Sequence, residues 1–272
     1  MSESVPRAAG LDPGTVKACC AQLYSQDWVR LLLGESFHPG GPKTTDRLAE
    51  LTGIGPDSRV LDVACGRGTS AVHLVRTTGC RAHGVDLSVA NVAAAQRAAH
   101  DAGVAGRCSF AVSDSEDLGF AEKSSYDVVV CECSFCTFPD KATAMHEFAR
   151  VVKTGGYLGL ADVTRSGPVP AAIQGLAGWV ACVADAESAE RYGERLKEAG
   201  FEPQQVESWE SALLEMVHVV RQRLALGSVL QGVSASIPDD WDLGSAREIT
   251  EQVEDAIRDG LLGYTIIAAV RR

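Results

Sequence analysis

No block of the chain gathers lysine and arginine: 25 basic residues are scattered among 36 acidic ones, for a formal charge of −11. Binding a phosphate backbone needs clustered basic side chains, so nucleic acid is not expected as a partner. No apolar run approaches the roughly 20 residues that span a bilayer, so no membrane partner is expected. The opening stretch, Met1 to Gly14, lacks the basic and apolar regions of a secretory signal, and a cytoplasmic location is expected. Internal repeats and low-complexity tracts are absent too. Cysteine, by contrast, is plentiful, but nine is an odd number, which in a reducing compartment argues against a disulfide framework. The 272 residues, 46% of them hydrophobic, are enough to bury a sizeable core without cross-links or a structural metal.

What is present is a rhythm. Apolar positions at helical spacing run from Thr15 to about Gly34 and end in a turn-rich His-Pro-Gly-Gly-Pro stretch, residues 38–42. A short helix is predicted over 43–51. Strands at 59–63, 81–86, 107–113, 125–131, 157–163 and 203–208 then alternate with helices at 69–77, 88–102, 141–152 and 185–199. Such alternation predicts an α/β fold, a Rossmann-like, mostly parallel seven-stranded sheet with helices on both faces. After the sixth strand the rhythm breaks into helical stretches at 210–230 and 245–259. A last apolar strand, 264–270, suits an antiparallel member of the sheet. The expected organisation is a flexible N-terminus at 1–14, an N-terminal helical cover at 15–55 and a nucleotide-binding core at 56–208. A helical insertion at 209–262 and the final core strand at 263–272 complete it. The insertion can serve as lid, dimer surface or substrate pocket.

The segment Val60 to Ser70, VLDVACGRGTS, falls where the first strand turns into the next helix. Gly66 and Gly68 allow a close backbone approach to a ligand, and the helix N-terminus offers free N–H groups. The spacing Gly-Arg-Gly does not fit the dinucleotide fingerprint. Twenty residues after Gly66, Asp86 closes the second strand, placed to accept hydrogen bonds from ribose hydroxyls.

These segments, together with Ser113 to Phe120, Tyr126 to Glu132 and Lys153 to Val163, resemble in order the motifs of class I methyltransferases that use S-adenosylmethionine (SAM). The resemblance covers about residues 57–165 and implies SAM as cofactor, S-adenosylhomocysteine as product, and methyl transfer as the reaction. It places Asp62, Ala64, Gly66 and Gly68 at the methionine end, Asp86 and Leu87 at the ribose, Asp114 and Ser115 beside the adenine, and Cys131 at the floor. Methyl transfer is an in-line displacement, so an aligned nucleophile matters more than elaborate acid–base machinery.

Ahead of Phe138-Pro139-Asp140-Lys141 stand three thiols, Cys131, Cys133 and Cys136. Alternation along an extended strand would put Cys131 and Cys133 on one side. Thiolates suit soft ions. With Cys182, which precedes Ala199-Gly200-Phe201, this arrangement resembles the arsenite methyltransferases, with Glu132 standing where that family has Asn. The resemblance implies arsenic(III) held by Cys133 and Cys182, helped by Cys19 or Cys20, without a general base. An alternative is transfer to O, N, S or C of a small organic metabolite in an apolar pocket, with His38 or Glu132 as base. A second alternative is a non-catalytic SAM- or metal-binding protein. A single C-x-x-C without a second pair does not make a zinc site.

Overall fold

The computed structural model describes residues 13–168, 183, 185–229 and 243–272. Cys182, Trp179, residues 1–12 of the flexible segment expected at 1–14 and most of the polar turn expected at 237–243 lie outside the described residues; the last two residues of that segment already belong to a helix.

The apolar stretch predicted as one helical region is two helices, α1 (Pro13–Tyr24) and α2 (Asp27–Leu33), separated at Ser25 and Gln26. Helix α3 (Pro42–Thr52) starts with proline in its first turn, where the missing N–H costs nothing. The core follows as β1 (Arg59–Val63), α4 (Thr69–Thr78), β2 (Arg81–Asp86), α5 (Val89–Asp101), β3 (Cys108–Val112), β4 (Tyr126–Glu132), α6 (Lys141–Val151), β5 (Val152–Arg165), α7 (Ala189–Glu198) and β6 (Phe201–Ser208). Helices α8 (Glu210–Val229) and α9 (Leu243–Arg258) precede β7 (Leu262–Arg271). No helix among the described residues is long and apolar enough to cross a membrane.

The seven strands lie in the order β3-β2-β1-β4-β5-β7-β6. Strands β1 to β5 pair in parallel, and β7 inserts antiparallel between β5 and β6. The chain leaves β1 towards β2 on one side and continues on the other side with β4, so a crevice opens at the carboxyl ends of β1 and β4. Strand β5 begins five residues earlier than its apolar run, because it resumes pairing directly after α6. The register shift between Tyr126 and Val128 absorbs the Gly155-Gly156 step. Those glycines therefore belong to a bulge, Gly155 at φ +78°.

Leu61, Val63, Phe135, Phe148 and Tyr192 fill one face of the sheet, while Val60, Leu74, Ala95 and Phe110 fill the other. A third cluster joins Val163, Tyr264 and Ile266 to Leu213, Val217, Val253 and Ile257 of the α8–α9 pair. Gly68 sits in this packing at φ +78°, and a Cβ there would lie 2.7 Å from both Ala95 Cβ and Phe110 Cζ. Left-handed strain and overpacking add, so Gly68→Ala is expected to destabilise by about 2–4 kcal/mol. A thermal melt should fall by roughly 5–10 °C. An unchanged melt would mean that Phe110 yields freely.

Candidate active site

The crevice is a cavity with about 1080 Å³ of space including its mouth. The residues that line it leave the sheet one after another. Ala64 to Arg67 follow β1, Asp86 and Leu87 follow β2, Asp114 to Glu116 follow β3, and Glu132 to Ser134 follow β4. Helix α1 and the 35–38 loop supply Lys17, Cys20, Tyr24, Phe37 and His38 from above. Of the two glycines of the turn, Gly66 lines the cavity at φ +53°, with Phe37 Cδ2, 4.0 Å from where a Cβ would stand, the sole neighbour. Gly68 is not among the lining residues; its glycine requirement comes from packing.

Three carboxylates crowd the floor. Asp62 is 2% exposed, and its Oδ2 has no hydrogen-bond partner. Burial pushes its carboxyl well above the ordinary carboxylate range; the charges of Glu132 and Asp86 push the same way, against a hydrogen bond from the Ala71 amide. Asp86 accepts hydrogen bonds from the amides of Gly66 (2.9 Å) and Ser88 (2.8 Å) and from Asn91 Nδ2 (3.4 Å). Burial raises its carboxyl as well, and the amide bonds oppose that shift. Further out, Lys17 Nζ donates to Asp114 Oδ2 at 2.6 Å and meets Glu116 Oε2 at 2.5 Å, tying α1 to the loop after β3. Ser115 beside them is buried.

At the other end His38 and Glu132 form a buried pair, with His38 Nδ1 3.6 Å from Glu132 Oε1. Both Glu132 oxygens accept from the Thr45 hydroxyl, at 3.0 and 3.1 Å. Thr44 Oγ1 stands within hydrogen-bond distance of the carbonyls of Pro39 (2.9 Å) and Gly41 (2.8 Å) and of His38 Nδ1 (3.1 Å); with its one proton on a carbonyl it accepts from Nδ1. In that arrangement, which the nearby Glu132 carboxylate favours, Nδ1 carries the ring proton and the Nε2 lone pair meets the Ser70 hydroxyl at 3.2 Å. Thr44, Thr45 and Ser70 were not singled out from the sequence. Their signal is the hydroxyl pair following the Gly-Gly turn and the serine ending VLDVACGRGTS.

Of the three thiols at the end of β4, Cys133 alone lines the cavity. Strand β4 stops at Glu132, and Cys133 adopts φ +51° while its amide donates to the Ala161 carbonyl at 2.7 Å. This left-handed step breaks the expected alternation. Cys131 points into the core, fully buried, with Sγ 3.2 Å from Ser134 Oγ, and does not line the cavity. Cys133 does line it. Burial, reinforced by nearby carboxylates, holds the Cys131 and Cys65 thiols well above the ordinary range, so neither is a thiolate at neutral pH. Cys136 is buried, and its amide donates to Asp162 Oδ2 at 3.0 Å. Cys20 lines the cavity from α1; Cys19 lies on the same helix, with its side chain outside what is described. Among the described residues no group of three or more His, Cys, Asp or Glu could hold a metal ion.

Beyond Tyr24, Phe37 and Cys133, which line both spaces, a second chamber with about 1100 Å³ of space opens under α2, α8 and α9. The Tyr24 and Phe37 rings stand 6.1 Å apart at this junction. Arg223 on α8 donates to the Leu32 carbonyl at 2.7 Å, holding α2 against α8. Glu254 on α9 accepts from His218 at 3.1 Å and from Arg221, holding α8 against α9.

The methyltransferase domain family matches residues 60–156. The 27-O-demethylrifamycin SV methyltransferase of Amycolatopsis mediterranei (strain S699) is 30% identical over 277 residues, covering 92% of this chain and 93% of its own. Among solved structures, the (4+2)-cyclase SpnF matches with a TM-score of 0.75 at 22% identity, covering 99% of both chains. A geranyl diphosphate methyltransferase in complex with SAM matches with a TM-score of 0.68 at 21% identity, covering 85% of both. The cyclase shows that the fold by itself does not dictate methyl transfer, so the relative matched along nearly its whole length carries the assignment. The chain belongs to the SAM-dependent methyltransferase family and is an enzyme that uses SAM as its methyl donor.

Proposed function

We propose that the chain transfers the methyl group of SAM to an oxygen nucleophile on an organic acceptor, with His38 as the general base. The observation that carries this reading is the buried His38–Glu132 pair at one end of the donor cavity. SAM when bound supplies a methyl carbon made electrophilic by the adjoining sulfonium. The residues fit it: the unpartnered Asp62 Oδ2 suits the methionine ammonium, and Gly66 leaves room for its backbone. Asp86 takes the ribose hydroxyls, with Leu87 beside it, and Asp114 and Ser115 flank the adenine.

An alcohol or phenol must lose its proton as its oxygen attacks. His38 Nε2 carries the ring lone pair, which the Ser70 hydroxyl meets at 3.2 Å, so the acceptor's proton reaches it as that hydroxyl turns aside or relays it. The proton taken there creates an imidazolium whose Nδ1–H faces Glu132, and the carboxylate stabilises that charge. Thr45 fixes Glu132 in turn. The experiment is a mass-spectrometric screen of purified protein with SAM and hydroxylated apolar acceptors, following S-adenosylhomocysteine and methylated product together. Product methylated on carbon or nitrogen would overturn the oxygen assignment.

The metalloid reading is supported by Cys20 and Cys133, both lining the donor cavity. The two readings part at Cys133→Gly. Glycine suits φ +51°, so this substitution should fold with equal or greater stability, by up to about 1 kcal/mol. Oxygen methylation should continue in the variant within roughly threefold, a margin small beside the 1.4 kcal/mol of a tenfold rate change. Methylated arsenic formed from arsenite by the wild type and lost in the variant would instead establish the thiolate mechanism.

A further inference from the structure

We propose that the second chamber houses a neutral, largely hydrocarbon acceptor body, of which only the nucleophilic end passes the Tyr24–Phe37–Cys133 junction. This rests on the methyl-transfer reading above and names the substrate class. The chamber wall is built by Trp28, Leu32, Leu213, Val217, Val220 and Val253. Its described lining includes no Lys, Arg, His, Asp or Glu, and Thr250 is its one aliphatic hydroxyl. A phosphate or diphosphate placed there would lose its hydration with no opposite charge among the described lining residues to replace it. The apolar wall is drawn from α2, α8, α9 and β7 together, more surface than a metalloid or a two-carbon metabolite would touch, and it suits a body of many carbon atoms.

The chamber and the donor cavity divide the work by chemistry. Among the described residues that line the two spaces, every fixed charge lies on the donor side: Asp62, Asp86, Glu132, Asp114, Glu116, Lys17 and Arg67, together with Glu35 at the rim. The three shared residues are an aromatic pair and a thiol. Cys133 is bent by its left-handed backbone into the passage between the two spaces. With so few polar groups to orient it, the acceptor is selected by shape and apolar area, so affinity should rise steadily with hydrocarbon length.

The test is a binding measurement, independent of turnover. The whole chain, saturated with S-adenosylhomocysteine, is titrated with the neutral fluorophore N-phenyl-1-naphthylamine, which straight-chain alcohols of six to twelve carbons then displace. Affinity should rise about three- to fourfold per added methylene. The phosphate monoesters of the same alcohols should bind at least about 100-fold more weakly. Val220→Arg should weaken alcohol binding roughly tenfold or more by setting a charge in the wall. SAM affinity of that sample should remain within about threefold, which also reports that it is folded. If Val220→Arg loses SAM binding as well, Val220→Gln takes its place, with the same expectation for alcohols. No displacement, no dependence on chain length, or equal binding of the phosphates would overturn the proposal. So would alcohol binding untouched by the wall substitution. Alcohol binding with no methyl ether from any hydroxylated acceptor would sink the oxygen-transfer reading and leave the chamber assignment standing. Methyl ethers formed from acceptors that the chamber does not bind would do the reverse.

Discussion

Asp62→Asn should fold at least as stably as the wild type without SAM, yet bind SAM about two to three orders of magnitude more weakly. The carboxylate is 2% exposed, keeps an unpartnered Oδ2, and is flanked by the like charges of Glu132 and Asp86. In the free protein its charge is a liability, since burial and those neighbours raise its pKa above the ordinary 3.8. The sign follows. A carboxyl whose folded pKa is raised contributes stability that is present below its unfolded value and disappears as pH rises through the folded value. The raised pKa marks the ionised carboxylate as costly in the ligand-free protein, and asparagine removes that cost at nearly constant volume. An ammonium placed on Oδ2 reverses the balance, and removing one partner of such a buried pair costs about 2–5 kcal/mol. Calorimetric titration with SAM, paired with melts of the ligand-free and ligand-bound forms, separates the two effects. SAM affinity in the wild type should also decline as acid protonates Asp62, and the variant should lose that pH dependence. Equal SAM affinity in the variant would remove Asp62 from the ammonium site.

How much of this was legible in the sequence depends on how local the cause was. The β1 turn and Asp86 could be read because strand, glycine turn and strand-end carboxylate are fixed by short-range geometry, and the parallel sheet then converges them on one crevice. The antiparallel place of the last strand was readable from its late arrival after a helical excursion. Gly68 was read as a ligand contact, but its cause is Phe110 and Ala95, which belong to β3 and α5 and announce nothing locally. The cysteines misled for a related reason. Alternation holds only while the strand lasts, and the turn at Cys133 sends Cys131 into the core and Cys133 into the cavity. The chamber was invisible in detail because its wall is shared by α2, α8 and α9, whose apolar faces look like any core-facing helix until the fold brings them together. His38 was named among several candidate residues, but its neighbours Thr44, Thr45 and Ser70 come from different elements that meet only in three dimensions.

His38→Gln should lower kcat for an oxygen acceptor by about 10²–10⁴ while leaving SAM affinity within roughly threefold. The argument runs through the ring's two nitrogens. Nδ1 faces the Glu132 carboxylate and a Thr44 hydroxyl whose one proton can go to a backbone carbonyl, so it is the donor side of the ring. Only Nε2 can take a proton, and Ser70 holds it at 3.2 Å on the cavity side. A glutamine amide can still donate towards Thr44 but cannot accept a proton in the reaction. Glu132→Gln tests the other half. Its amide oxygen still accepts from Thr45, so the fold around it should persist, but the charge facing the imidazolium is gone. A smaller loss, about 10–100-fold in kcat, is expected there, in line with about 1.5–3 kcal/mol for a hydrogen bond to a charged group. The double variant should be little worse than His38→Gln alone, because a carboxylate that acts through the imidazole has nothing to stabilise once the imidazole is removed. Added imidazole should restore part of the activity of His38→Ala, which a purely structural role for His38 would not permit. If instead the two single losses multiply in the double variant, Glu132 acts on the acceptor directly, and the base is the carboxylate rather than the ring.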